Sequence, residues 1–271
     1  MNTATLGHRE PLTRTIDRIA RAGFGGIAPW RREVEQADVA ALARQIRALD
    51  LRVTGYCRST ALPAATRQAF LANVEANRAA LHDAAALGAR CFVMVAGGIP
   101  EGERDLAGAR AQFAEGVAAL LDTARALNVP LALEPLHPMY AADRAVLNTL
   151  AQALQVCETV DPDNGGFLGV AIDAYHCWWD PALEASIDAA GRARRILAYH
   201  VCDWLRDTQD LLLDRGMMGD GVIDLPAMRA CVEQAGYDGL VEVEIFSARH
   251  WWRRDPDDVL ACCAARLQTV C

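Results

Sequence analysis

The chain has 271 residues, 52% of them hydrophobic, with a net charge of −8 and a sequence pI near 5.3. That apolar content suits a large core and excludes disorder, and the acidic balance argues against non-specific nucleic-acid binding. No run of ~18 apolar residues is present, so no membrane span is expected. MNTATLGHREPL at the N-terminus lacks a basic segment followed by an apolar one, so no secretory signal is expected. Nine cysteines occur without a CxxC pair. They read as small buried hydrophobes or helix positions, which points to a reduced, cytoplasmic setting.

Short apolar runs alternate with longer alanine-rich helical patterns, the mark of repeated strand–helix units. The first strand is expected within Thr3–Gly7, followed by a helix over about Leu12–Ala22 that Gly23 ends. Gly26–Trp30 reads as the second strand, with a helix over about Val34–Leu49. Arg52–Cys57 is the third, and Pro63 opens a helix reaching Leu87, with Gly88 as its stop. Cys91–Ala96 is the fourth strand. Its helix, about Leu106–Leu127, carries Phe113, Val117, Leu120, Leu121 and Ala124 on one face. Leu131–Glu134 and a helix over about Ala142–Thr159 follow, then Phe167–Asp173 with a helix around Pro181–Ala190. Ile196–Cys202 leads through a long loop to a helix over Pro226–Ala235. Val241–Phe246 and a helix over Asp255–Val270 close the series.

Eight such units predict an α/β fold, a (β/α)8 TIM barrel forming a single domain over residues 1–271. An open doubly wound sheet is the competitor, but no GxGxxG follows a strand and no GxxxxGK[ST] occurs. In a barrel the active site forms at the C-terminal ends of the strands. Strands five to eight end there in Glu134, Asp173, His200 and Glu244. Any one of these would ordinarily be a buried polar group satisfied by a neighbour. Four converging on one rim are different, because three adjacent carboxylates repel at low dielectric unless a cation neutralises them. Three carboxylates and one imidazole favour Mn²⁺ or Mg²⁺, with Co²⁺, Zn²⁺ or Fe²⁺ as alternatives. One divalent metal ion on Glu134, Asp173, His200 and Glu244 is therefore expected.

The segments LALEP (131–135), DAYH (173–176), YHVCDWLR (199–206), GDGVIDL (219–225) and VEVEIF (241–246) resemble the xylose isomerase-like barrels of the sugar phosphate isomerase/epimerase family. That family includes 2-keto-myo-inositol isomerase, hydroxypyruvate isomerase and the ketose 3-epimerases. The resemblance implies that the same four residues hold the metal. It also implies that Glu134 and Glu244 are the catalytic acid/base pair, and that His176 and Arg206 touch the substrate. The expected reaction is isomerisation or epimerisation of a keto sugar, keto-inositol or related polyol, by proton transfer through a metal-stabilised enediolate. A lyase or dehydratase acting on an oxidised sugar or cyclic polyol by β-elimination is the alternative. The expected partner is a small carbohydrate or polyol, with no nucleic acid and no membrane, and a homo-oligomer, dimer or tetramer, is compatible with the family.

His137, three residues past Glu134, and Trp30 and Tyr56, at the ends of strands two and three, are further substrate-contact candidates. Trp178, Trp179, Trp251 and Trp252 read equally as pocket walls or as packing. MMGDGVID reads either as a substrate loop or as a turn before a helix capped by Asp224. Glu242 shares a strand face with Glu244 two residues deeper. Ala132, Ala171 and Ala198 stand at the matching depth on the neighbouring strands, so Glu242 is expected to fill that layer and support the metal ligands. Two departures stand out. Tyr140 replaces a glutamate common in ketose 3-epimerases. Trp30 and Tyr56–Cys57 replace the histidines that the related trinuclear DNA-repair endonucleases need.

Overall fold

In the computed structural model, which describes residues 1–271, the strand pattern resolves into eight short parallel segments. They are β1 (Gly26–Ile27), β2 (Arg52–Val53), β3 (Tyr56–Cys57), β4 (Phe92–Val95), β5 (Leu131–Glu134), β6 (Leu168–Asp173), β7 (Ile196–Val201) and β8 (Val241–Val243). β3 to β8 form one sheet in chain order, and β1 pairs with β2. Bridges Asn2–Ala28 and Trp30–Cys57 join the two groups, and Asn2 N–H donates to Val243 O at 2.9 Å, so hydrogen bonding runs round the whole barrel. β2 and β3 are halves of the single expected third strand. Thr54 N–H still bonds Ile27 O on one side, whereas Tyr56 N–H bonds Cys91 O on the other.

The helices are α1 (Leu12–Arg21), α2 (Arg31–Val34), α3 (Val39–Ala48), α4 (Arg67–Leu87), α5 (Leu106–Leu127), α6 (Leu150–Val160), α7 (Ala174–Cys177), α8 (Leu183–Arg192), α9 (Leu225–Gln234) and α10 (Pro256–Thr269). On α5 the expected stripe of Phe113, Val117, Leu120, Leu121 and Ala124 is buried. Each large apolar side chain in such a stripe stabilises the fold by about 1.5–3 kcal/mol. The main core lies between strands and helices. A separate cluster of Cys57, Cys91, Val93, Ala132, Ala171 and Ala198 fills the barrel interior. Those interior side chains are small, which leaves a lumen that longer polar groups from neighbouring strands enter.

Several boundaries differ from the sequence expectation, each for a local reason. Thr3–Leu6 is a 3-10 turn rather than a strand, capped by the Asn2 side chain, which accepts from Ala4 N–H. The strand-favouring threonines there use their side chains instead: Thr5 Oγ1 donates to Val243 O of β8 and accepts from Ile245 N–H, and Thr3 Oγ1 donates to Glu33. The helix expected from Val34 starts only at Val39, because Asp38 caps it by accepting from Ala41 N–H, and a separate single turn, α2, precedes it. α4 begins at Arg67, since Thr66 and not Pro63 supplies the cap. α6 begins at Leu150 behind the Thr149 cap. Residues 141–149 are instead held as a rim loop by Leu136 N–H to Leu147 O and by Asn148 Nδ2 to Leu136 O and Ala145 O. β8 stops at Val243, three residues short of the expected end.

Candidate metal and active site

Parallel pairing sets Asp173 against His200, and His200 against Glu242. Glu242 is therefore level with His200 in register, not with Ala198, because the strands of a barrel are staggered. Ligand atoms of Glu134, Asp173, His200 and Glu244 all lie within 4.8 Å of one another, and all four residues are buried. Nδ1 of His200 is 2.9 Å from Glu134 Oε1 and 4.0 Å from Glu244 Oε2, so that nitrogen faces the carboxylates. Nε2 lies 3.6 Å from Glu242 Oε1 on the other side. A carboxylate behind an imidazole is the arrangement that orients a ligating histidine. Glu242 is itself held by Asn2 Nδ2 at 2.9 Å and Thr54 Oγ1 at 2.5 Å. The donor set fits a hard divalent cation: buried carboxylates that repel one another, plus one histidine nitrogen turned toward them.

The electrostatics reflect that crowding. Burial, then the neighbouring Glu134 charge, pushes the Glu244 carboxyl up to about 8 against the pull of Arg215 and His200. Burial pulls His200 down, but Glu242, Glu134 and Glu244 outweigh it and hold the imidazole well above its ordinary range. Burial also raises Asp173, and Arg215, His176 and His200 reverse that, leaving it below the usual carboxylate range.

The sign of the resulting pH dependence is fixed. Glu244 keeps a proton in the fold that the unfolded chain releases above ~4.5, so its contribution falls as pH rises toward about 8. The His200 contribution is complete below ~6.5 and is lost as pH rises through its higher folded value. The buried Met1 amine, whose pKa is lowered, leans the other way up to ~8. His176, held by burial to about 3, adds nothing above ~6.5. The metal-free protein is thus expected to lose stability between pH 6.5 and 8, by roughly 1.4 kcal/mol per pH unit for one net proton. A divalent cation displaces those protons and should reverse the trend. Melting curves at both pH values, with and without Mn²⁺, check this; a metal-free melting temperature that rises across the window would contradict it.

Arg215, which lies in the long loop after β7, is the principal site residue that sequence reasoning missed. Nη1 reaches Asp173 Oδ2 at 3.0 Å and Glu244 Oε2 at 3.4 Å, and Nη2 is 3.0 Å from His176 Nε2. Its guanidinium lies over Tyr175 and Phe246, with 4.4 and 4.8 Å to the ring centroids. The backbone is pinned as firmly: Arg215 N–H donates to Phe246 O, and Gly216 exchanges two hydrogen bonds with Asp203. Asp203 in turn accepts from the backbone N–H groups of Trp204, Gly219, Gly221 and Ile223. MMGDGVID is accordingly a loop organised on Asp203, ahead of a helix that Asp224 caps. The charged pair Asp214–Arg215 inside LLLDRGMM was the available signal. Asn2 was missed too: Nδ2 bonds both Glu242 and Glu244 at 2.9 Å, and Oδ1 accepts from Trp30 Nε1 at 2.7 Å.

Among the substrate-contact candidates, Trp30 and His176 line the cavity together with Glu134, Glu244 and Arg215. His176 Nδ1 accepts from His137 N–H, and Nε2 faces the Arg215 donor. A neutral imidazole offers one lone pair, so one of these contacts is unsatisfied. Three expectations need correction. Arg206 is exposed on the loop and does not reach the cavity, because the chain runs on past it before Arg215 turns inward. Tyr56 points into the outer core against Phe92, since strand alternation turns Cys57, not Tyr56, toward the lumen. His137 stacks on Trp204 with 4.7 Å between centroids and lies behind His176 instead of on the cavity wall. Trp252 and Tyr140 line the cavity, whereas Trp178 and Trp179 pack in the layer beside it and Trp251 is buried.

A parallel α/β barrel, closed between β8 and β1 by Asn2, with three carboxylates and a histidine converging on its C-terminal rim defines a TIM-barrel protein with a candidate divalent-metal centre. The family described as xylose isomerase-like TIM barrel matches residues 16–262, and the chain belongs to that family. It is 49% identical to protein SMc04130 from Sinorhizobium meliloti 1021, whose crystal structure superposes with a TM-score of 0.97 over 100% of this chain and 97% of that one. The IolI protein, crystallised with a zinc atom, shares the fold at a TM-score of 0.84 and 19% identity, over 100% of this chain and 96% of that one. Inosose isomerase of Bacillus subtilis (strain 168) is 30% identical over 141 residues, 49% of this chain and 45% of that protein. The chain thus spans about half the length of the curated relatives it matches. No helix is long and apolar enough to cross a membrane, and all nine cysteines are free.

Proposed function

We propose that this chain is a divalent-metal-dependent isomerase or epimerase acting on a keto sugar, a keto-inositol or a related polyol. The observation that carries this reading is the pair of glutamates, Glu134 and Glu244, that line one cavity and flank His200. Glu134, Asp173, His200 and Glu244 would hold the cation, with Mn²⁺ or Mg²⁺ the best match to their oxygen-rich set. Bound there, a divalent cation supplies Lewis acidity to a carbonyl oxygen and acidifies the neighbouring C–H. The inosose isomerase relatives and the zinc atom in IolI support the same reading.

The residues themselves divide the remaining work. Glu134 Oε1 lies beside His200 Nδ1, where the two would share the cation, which leaves Oε2 to take a proton from the carbon beside the carbonyl. Glu244 is fixed at both oxygens, Oε1 by Asn2 and Oε2 by Arg215, and would return from a defined direction a proton taken up from solvent, while Glu134 releases its own to solvent. Return to the opposite face gives an epimer; return to the adjacent carbon gives an isomer. Trp30, Phe246 and Trp252 wall the cavity and limit water. The chain contains no lysine, all 27 basic residues being arginine, so Schiff-base activation of the carbonyl by a side-chain amine is not available.

Metal analysis of the purified protein, followed by 2-keto-myo-inositol and a panel of ketoses in D₂O, tests the reading. Solvent deuterium is expected in recovered substrate and in rearranged product, and only with divalent metal present. An unsaturated product formed by loss of a group would place the chain among lyases instead.

A further inference from the structure

The charge on the cavity wall has a feature that proton transfer on a neutral polyol does not use. Four arginines line the cavity, Arg32, Arg58, Arg144 and Arg215, against two glutamates, Glu134 and Glu244. Arg215 is paired with Asp173 and Glu244. The other three make no salt bridge and donate no side-chain hydrogen bond; Arg144 and Arg32 merely lie over the rings of Tyr140 and Trp30, at 5.8 and 6.0 Å. Elsewhere this acidic chain pairs its well-placed arginines, as Arg18 with Glu10 and Asp257, Arg195 with Asp161, and Arg31 with Glu35. Exposed arginines of the chain often stand alone, but Arg58 and Arg144 are half-buried, where its other arginines have a partner, and both face one cavity.

Their position is also specific. Arg58 directly follows β3, and Arg144 sits in the rim loop after β5, where the Gly97–Ala145 bridge and Arg144 N–H to Tyr140 O hold the backbone. Both therefore stand on the β3–β5 side of the rim, whereas Arg215 and Glu244 stand on the β7–β8 side. Arg58 is largely buried, and burial together with the nearby Arg144 charge lowers its pKa against the weaker pull of Glu134 and Glu244. Two like charges close together in a desolvated wall are costly unless an anion joins them. A divalent cation on the four ligands would add to the positive charge that these arginines already give the cavity wall.

We propose that the substrate carries an acidic group, a carboxylate or a phosphate ester, seated on Arg58 and Arg144 while its carbonyl end lies against Glu134 and Glu244. This rests on the enolisation reading of the site and names the class of polyol it takes. Planar guanidinium forks match the two oxygens of a carboxylate or phosphate, and a pair of them fixes which end of the molecule faces the glutamates. Arg32, exposed at the rim, adds to the field that draws the anion in.

The test is calorimetric titration of the manganese-loaded protein with D-fructose, D-fructuronate and D-fructose 6-phosphate, which share one skeleton and differ at one end. At least one acid is expected to bind roughly tenfold or more tightly than D-fructose, with a preference that weakens as salt rises. The stronger of the two acids identifies the source of the anion. In the Arg58→Gln/Arg144→Gln protein that preference should collapse, and in Arg58→Lys/Arg144→Lys it should partly return; circular dichroism confirms that both variants fold. Equal affinity for all three ligands, no measurable binding of either acid at millimolar concentration, or an unchanged preference in the glutamine variant each overturns the proposal. Deuterium exchange separates it from the reading beneath it. Exchange into a neutral ketose without acid preference would leave enolisation standing and sink the anion site. Tight, arginine-dependent acid binding without exchange would do the reverse.

Discussion

Glu134→Gln and Glu244→Gln, each saturated with Mn²⁺, are expected to incorporate solvent deuterium into a keto substrate about 10²–10⁴-fold more slowly than the wild type. That range is the usual contribution of one positioned acid or base. The substitutions keep shape and remove only the proton-carrying oxygen. Folding of Glu244→Gln should not suffer, because Glu244 already resists ionisation beside Glu134, whereas Glu134→Gln also gives up the pair with His200. Loss of exchange is the signature expected of both, with an unchanged or raised metal-free melting temperature in Glu244→Gln. Glu242→Gln offers an internal scale. It sits behind His200 and does not line the cavity, so a loss of roughly 10–100-fold is expected there. Full turnover in both Glu134→Gln and Glu244→Gln would show that neither carboxylate moves the proton.

The second large effect concerns Arg215. Arg215→Met removes the cation that faces buried Asp173, which is ionised, and Glu244, which keeps its proton, and leaves the Asp173 charge uncompensated, at a cost of about 3–5 kcal/mol. Contacts with Tyr175 and Phe246 are lost as well, although methionine recovers some of that packing. For a chain of this size the metal-free melting temperature should fall by roughly 10 °C. Divalent metal should restore part of the difference, because it supplies positive charge to the same carboxylates. Arg215→Lys should recover less than half: an ammonium cannot lie flat between two rings while reaching both acids. If metal-free Arg215→Met melts with the wild type, the guanidinium is not what balances the site.

The barrel was legible in the sequence because its evidence is local and repeated. Each strand is a short apolar run and each helix a 3.6-residue pattern, and eight repeats outweigh an error in any one of them. The errors fell where a side chain competes for the backbone: Asn2 capping a 3-10 turn, Thr66 capping α4 in place of Pro63, Thr149 delaying α6. The four candidate ligands were legible for a related reason. Glu134, Asp173, His200 and Glu244 each follow apolar residues in a strand, and in a parallel barrel all such strands point to one rim.

Arg215, Arg58, Arg144 and Asn2 were not legible, and they give the site its charge balance. None lies on a periodic element, so no pattern says which way its side chain turns. Arg206 was expected in the cavity from the family resemblance, but spacing from His200 does not fix a loop's path: Asp203, gathering four backbone N–H groups, organises the loop that brings Arg215 in instead. Tyr56 and Cys57 show the same limit within a strand, since one residue of register exchanges lumen for core. The sequence by itself determined the fold, the rim and the four convergent polar residues, because short-range periodicity encodes them. Tertiary structure alone decided which cations meet those residues and what charge the cavity presents, because loop paths and barrel stagger bring together side chains as far apart as Asn2 and Glu244.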